Sequence, residues 1–63
     1  MVRALEYGGR KYVHEGKILK IYTTKDGKWQ FYLGCQVKRP DKIISRETGL
    51  SASEIAEMWQ NVT

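Results

Sequence analysis

Residues 17–38 read KILKIYTTKDGKWQFYLGCQVK, and the fold depends on how this stretch doubles back on itself. Two runs rich in β-branched and aromatic residues, 17–24 and 28–38, flank Lys25, Asp26 and Gly27, the composition of a β-hairpin. The turn has two readings. A two-residue Asp26-Gly27 loop pairs Tyr22 with Phe31. A three-residue loop, with Gly27 left-handed at a bulge, pairs Ile21 with Phe31 and Leu19 with Leu33. Alternation chooses between them, because a one-residue slip moves every side chain to the opposite face. Trp29, Phe31, Leu33, Cys35 and Val37 share one face of the later strand. Only the three-residue loop adds Leu19 and Ile21 to it, so this register is expected, with that face as the core. The other face then carries Lys20, Tyr22, Lys28, Gln30, Tyr32, Gln36 and Lys38, with Ile18 and Gly34 nearer the far end.

Towards the N-terminus, residues 2–7 and 10–14 make a further hairpin around Gly8-Gly9, a pair suited to a type I′ turn in which both central residues need positive φ. That turn sets Glu6 opposite Lys11 and Leu5 opposite Tyr12. Glu15-Gly16 reads as a bend or bulge. Towards the C-terminus, Pro40 ends the sheet because it cannot donate to a ladder. Residues 41–48 are open to two readings, a short helix capped by Asp41 and ended by Gly49, or a fourth strand at Lys42-Ile43-Ile44-Ser45; the helix is preferred. Ser51 and Glu54 form a capping box. Ala52, Ile55, Trp59 and Val62 then fall on one helical stripe, with Met58 beside it.

The expected fold is therefore α+β: a three- or four-stranded antiparallel β-meander packed against a C-terminal α-helix, with the short helix before it. One domain covers residues 1–63, as a sheet over 2–38 and a helical region over 41–62. A domain this small buries only about 60% of the surface its unfolded chain exposes. Cys35 is the only cysteine, so neither an intramolecular disulfide nor a Cys-rich zinc site can support it. Association into a homodimer is a remaining way to gain core. The apolar runs are far shorter than the roughly 20 residues that span a bilayer, and no signal-peptide pattern opens the chain. No membrane partner is expected, and a cytoplasmic location follows by default.

Charge divides along the same line as the elements. Residues 1–39 hold nine Lys/Arg against Glu6, Glu15 and Asp26, a net of +6. Residues 40–63 hold Lys42 and Arg46 against Asp41, Glu47, Glu54 and Glu57, a net of −2. Attraction for an anionic partner is thus expected on the sheet.

Residues 41–59 resemble the core of helix-turn-helix DNA-binding proteins. Ser45 stands four before the turn glycine Gly49, Leu50 follows it, and Ile55 and Met58 are spaced as in the family's second helix. The glycine permits the tight turn and the apolar positions pin the two helices. The resemblance covers about a third of the chain and implies DNA binding and transcription regulation. Strands rather than a helix precede this unit. The second helix would offer Ser51, Ser53, Glu54, Glu57, Gln60 and Asn61 outward, two carboxylates and no base. In element order alone, a three-stranded sheet followed by a helix also resembles the small DNA-binding domains of some phage and transposon integrases, which lay the sheet in the major groove.

These features point to a small nucleic-acid-binding protein of the accessory or regulatory kind, acting through a basic, aromatic sheet face, with double-stranded DNA as the expected partner. Lys20, Lys28, Lys38 and Arg39 would contact phosphate, and Tyr22 and Tyr32 would supply flat contacts. Lys42 and Arg46 would extend the patch if the short helix turns toward the sheet. The bland alternative is a solvated face whose lysines block edge aggregation. A second functional class is a dimeric protein-interaction module or inhibitor without nucleic-acid binding. His14 has no companion at ligand spacing and reads as a packing histidine. Cys35 reads as a small buried hydrophobe. Trp29 and Trp59 read as core or rim, although an exposed one would suit a partner contact. No nucleophile–base arrangement or phosphate loop can be assembled, so the chain is expected to be a non-enzyme without cofactor or metal.

Overall fold

The computed structural model describes residues 1–62. Strands β1 (Val2–Tyr7), β2 (Arg10–Glu15), β3 (Ile18–Lys25) and β4 (Lys28–Gln36) form an antiparallel meander. Helices α1 (Asp41–Thr48) and α2 (Ala52–Met58) follow, and a short β5 (Gln60–Asn61) pairs antiparallel with β1. The five-stranded sheet has the order β4-β3-β2-β1-β5.

Local chemistry explains the turns. Gly8 and Gly9 both take positive φ, so Tyr7 pairs with Arg10, Glu6 with Lys11 and Leu5 with Tyr12, the register read from the glycines. The Glu15-Gly16 bend proves to be a second tight turn, Gly16-Lys17, which closes β2 on β3 with Glu15 opposite Ile18.

The third hairpin overturns the expected register. Asp26 and Gly27 both take positive φ (53° and 77°), a two-residue turn that sets Lys25 opposite Lys28 and Tyr22 opposite Phe31. Aspartate tolerates the left-handed region well enough to make this turn. The ladder then shifts between Ile21 and Tyr22: Ile21 pairs with Leu33 and Leu19 with Cys35. Tyr32 is the extra residue of a bulge on β4. Clean alternation along β4 places its residues correctly only where the register is uninterrupted. The bulge instead lets Leu33 and Cys35 face the core while Trp29 and Phe31 face away from it.

Both helices lie on one face of the sheet. Leu5, Tyr12, Leu19, Ile21, Ile44 and Ile55 form the buried cluster, with Cys35, Val37, Ile43, Leu50, Met58 and Trp59 packed against it. α1 confirms the helical reading of residues 41–48. Its N-cap is Pro40 rather than Asp41, and Gly49 ends it at φ 80° with its N–H donating to the Ser45 carbonyl oxygen. Asp41 instead occupies the first turn, where the helix dipole favours an anion. The Ser45 hydroxyl donates to the Leu50 carbonyl at 2.6 Å and holds the α1–α2 turn.

The capping box of α2 is complete. Ser51 Oγ accepts from the Glu54 N–H at 3.2 Å, and the Ser51 N–H donates to Glu54 Oε1 at 3.0 Å. α2 is shorter than the apolar stripe suggested. Trp59 leaves helical geometry (ψ 132°), and the chain runs on as β5 along the free edge of β1, where the Val62 N–H donates to the Val2 carbonyl. Val62 is exposed, as is Ala52 in the first turn of α2, and the helical region stops at Met58. Backbone groups at a sheet edge want partners, and β1 supplies them to this segment. No helix of the described residues is long and apolar enough to cross a membrane.

Candidate functional site

The face of the sheet away from the helices is uncovered, and cross-strand pairing assigns its rows. Glu6, Lys11, Tyr22 and Phe31 form one row; Ala4, Val13, Lys20 and Gly34 form the next; Thr24 and Trp29 stand beyond Tyr22 and Phe31. Trp29 is 41% and Phe31 56% exposed, large fractions for such rings. Acidic Glu6 and Glu15 sit on β1 and β2, so the β3–β4 half of the face is free of carboxylates.

The aromatic groups are held in place. Phe31 meets Tyr22 edge-on, with centroids 5.7 Å apart and planes at 79°, a favourable geometry for two quadrupoles. Trp29 lies under Lys11, whose Nζ is 5.9 Å from the ring centroid. At the end of the β3–β4 hairpin Lys25 and Lys28 stand directly opposite each other. Like charges in that position are destabilising. Asp26 in the turn between them offsets part of the repulsion, and an anion held at the hairpin end would offset more.

The residues expected to bind are dispersed. Lys20 and Tyr22 occupy the open face; Lys28, one residue before Trp29, alternates to the other side at the hairpin end, contrary to the expected placement. Tyr32, displaced by the bulge, lies on the helix side, with the Arg10 guanidinium 5.1 Å from its ring centroid. Lys38 and Arg39 are exposed in the connection between β4 and α1. Lys42 and Arg46 belong to α1, which packs through Ile44 on the opposite side of the sheet, so they do not extend the open face. Lys11, Trp29 and Phe31 join the site instead. The signal for Lys11 was its pairing with Glu6 and hence its row; for the two rings the sequence offers only the rejected two-residue turn.

The helix side has its own polar group. Arg10 makes a 3.0 Å ion pair with Glu47 and faces Tyr32, and the Tyr12 hydroxyl donates to Glu47 at 3.4 Å. Tyr12 first, and then Glu47, hold the Arg10 pKa above its ordinary value. This arrangement ties β2 to α1. His14 is buried as a packing residue: its Nδ1 accepts from Arg3 Nε at 3.4 Å, which leaves Nε2–H to donate to the Val37 carbonyl at 3.3 Å. Arg3 also covers the Trp59 ring at 4.4 Å. Cys35 is half-buried. Among the described residues no group of three or more His, Cys, Asp or Glu could hold a metal ion.

α1 and α2 are joined through Gly49. α2 offers Ser53, Glu54 and Glu57 outward, whereas Gln60 and Asn61 belong to β5. No protein-family model matches this chain, and no curated protein or solved structure matches it either.

Proposed function

We propose that this chain is a small nucleic-acid-binding protein, of the accessory or regulatory kind, that uses the open face of its sheet. The observation that carries the reading is the placement of Trp29 and Phe31, both exposed, beside Lys11 and Lys20 on a face with no covering element. Exposed rings on a bare sheet are costly to leave in water, and flanking lysines match a polyanion. Phosphate contacts supply affinity and flat rings supply contacts to bases. DNA is the expected form of the partner.

The test is a double substitution, Lys20→Glu with Lys28→Glu, read by fluorescence anisotropy on labelled DNA across a salt series. Binding by the unaltered protein weakens as salt rises, with a slope of about −0.7 to −0.9 per phosphate contact. The double variant loses binding while keeping its far-ultraviolet circular dichroism. Unchanged affinity in the variant removes the proposal.

A second reading rests on a different observation. β4 is an edge strand of nine residues, paired only with β3, and Tyr32 and Leu33 are exposed on it. Such an edge suits strand addition by a protein partner or a second copy. A melting temperature that rises with protein concentration, together with salt-insensitive partner binding, favours that reading.

A further inference from the structure

We infer that the open face binds single-stranded nucleic acid, with one base stacked on Phe31 and its neighbour on Trp29; the inference rests on the nucleic-acid reading above and narrows it to one substrate class. The first reason is chemical. Phe31 has no hydrogen-bonding atom and Trp29 has only its indole N–H, so neither can read the donor and acceptor pattern of a duplex groove. What both offer is a π-face, and base faces in a duplex are covered by their neighbours. Rings displayed on a sheet find their partners in unstacked bases.

The second reason is spacing. Trp29 and Phe31 are two residues apart on one face of β4, beyond the bulge. Two residues of strand advance about 6.6 Å. That is about twice the 3.4 Å rise between stacked nucleotides of one strand. Bases seated on both rings must therefore be splayed, which a single strand permits and a paired duplex resists.

The third reason is preorganisation. Phe31 is wedged between Tyr22 and Gly34: a Cβ placed on the glycine would stand 3.4 Å from the ring's Cζ. Lys11 restrains Trp29 from β2. A ring already held where it will be used loses little freedom on binding. The charges fit the same path. Lys20 lies one row from the Tyr22–Phe31 pair, Lys25 and Lys28 close the hairpin end, and the carboxylates of Glu6 and Glu15 lie on the β1–β2 half. A strand running along β3 and β4 passes Lys20 at one end of the aromatic group and, at the other, the hairpin tip whose Lys25 and Lys28 alternate to the reverse side.

Affinities of the full chain for a labelled oligo-dT of about 15 nucleotides and for the same oligomer annealed to oligo-dA, in about 50 mM salt, test this. The expected result is single-strand binding roughly tenfold or more tighter than duplex binding. Phe31→Leu keeps an apolar cover over Gly34 but removes the ring; it weakens single-strand binding roughly 5- to 150-fold and leaves the salt slope unchanged. Phe31→Trp keeps a ring and most of the affinity, which separates stacking from a folding defect. Duplex bound as tightly as single strand, or Phe31→Leu binding like the unaltered protein, overturns the inference while leaving nucleic-acid binding intact. Binding to neither probe removes the broader reading and this inference with it.

Discussion

Phe31 and Gly34 are three residues apart on β4, yet both belong to the open face: Phe31 pairs with Tyr22, Gly34 with Lys20, and the ring rests over the glycine. In a regular strand residues three apart point to opposite faces. The bulge at Tyr32 inserts the extra residue that brings them together. A Cβ at Gly34 would already touch the ring, so any longer side chain would compete with it for this space and the two residues form one structural device.

Gly34→Val tests that device. Its backbone is not in the left-handed region, so valine is compatible with it. Replacing a strand glycine by a β-branched residue is expected to gain about 0.5–1 kcal/mol. The branched side chain also takes the space of the Phe31 ring. The variant should melt a few degrees higher while binding single-stranded DNA as weakly as Phe31→Leu. A variant that melts higher and binds normally would show that the ring's seat is unimportant.

The capping box predicts an acid-sensitive helix. Hydrogen bonding from the Ser51 N–H, and then from its side chain, holds the Glu54 carboxyl below its ordinary value of 4.5. The folded state therefore favours the ionised form. That contribution is fully present above pH 4.5 and is lost as pH falls through the lowered folded value. Urea unfolding of Glu54→Gln should show a shallower loss of stability on acidification than the unaltered protein. Ser51→Ala should cost about 1 kcal/mol at neutral pH.

Tyr12 predicts an alkaline limit. Burial, and then the Glu47 carboxylate, raise its pKa above the ordinary 10.0. Here the folded state favours the protonated form, so the contribution is whole below pH 10 and declines as pH rises through the elevated folded value. Tyr12→Phe removes the ionising group and the 3.4 Å hydrogen bond to Glu47. It should cost about 0.5–1.5 kcal/mol at neutral pH. Its stability should fall less steeply in alkali. Phenolate absorbance, compared between the two proteins, identifies the late-titrating tyrosine.

The helices are held by two fully buried isoleucines, Ile44 on α1 and Ile55 on α2. Truncating either to alanine should cost about 2–5 kcal/mol. Total stability of a domain is only about 5–15 kcal/mol, and one this small lies near the lower end. Chemical denaturation should find each single variant folded with a lowered midpoint and the double variant unfolded at room temperature. A double variant with near-normal stability would mean that the helices contribute little to the core.

Much of the architecture was legible. Gly8-Gly9 specified the first hairpin and its register, Gly49 ended α1, and Ser51 with Glu54 started α2. The misjudged element was β4. The sequence places Trp29, Phe31, Leu33, Cys35 and Val37 in clean alternation, and this pattern favoured one register over the two-residue turn that forms. The candidate site suffered with it: Lys20 and Tyr22 stayed on the open face, Tyr32 left it, and Trp29 and Phe31 moved onto it from the expected core. The end of α2 was misjudged for a related reason, because a helical stripe through Trp59 and Val62 gives no sign that the edge of β1 is available to pair with this segment.

What the sequence determined by itself is local. Positive-φ turns, the capping box and the basic sheet against the acidic helices follow from residues within a few positions of one another and from composition. What only the tertiary structure decided is which side of the sheet each β4 residue occupies and what closes the edge of β1. Register is a relation between strands, and a bulge wins when packing Cys35 beside Leu19 and setting a still-exposed Leu33 opposite Ile21 outweighs an unbroken ladder. That trade is settled by the core as a whole, and it is what sets two aromatic rings on the open face.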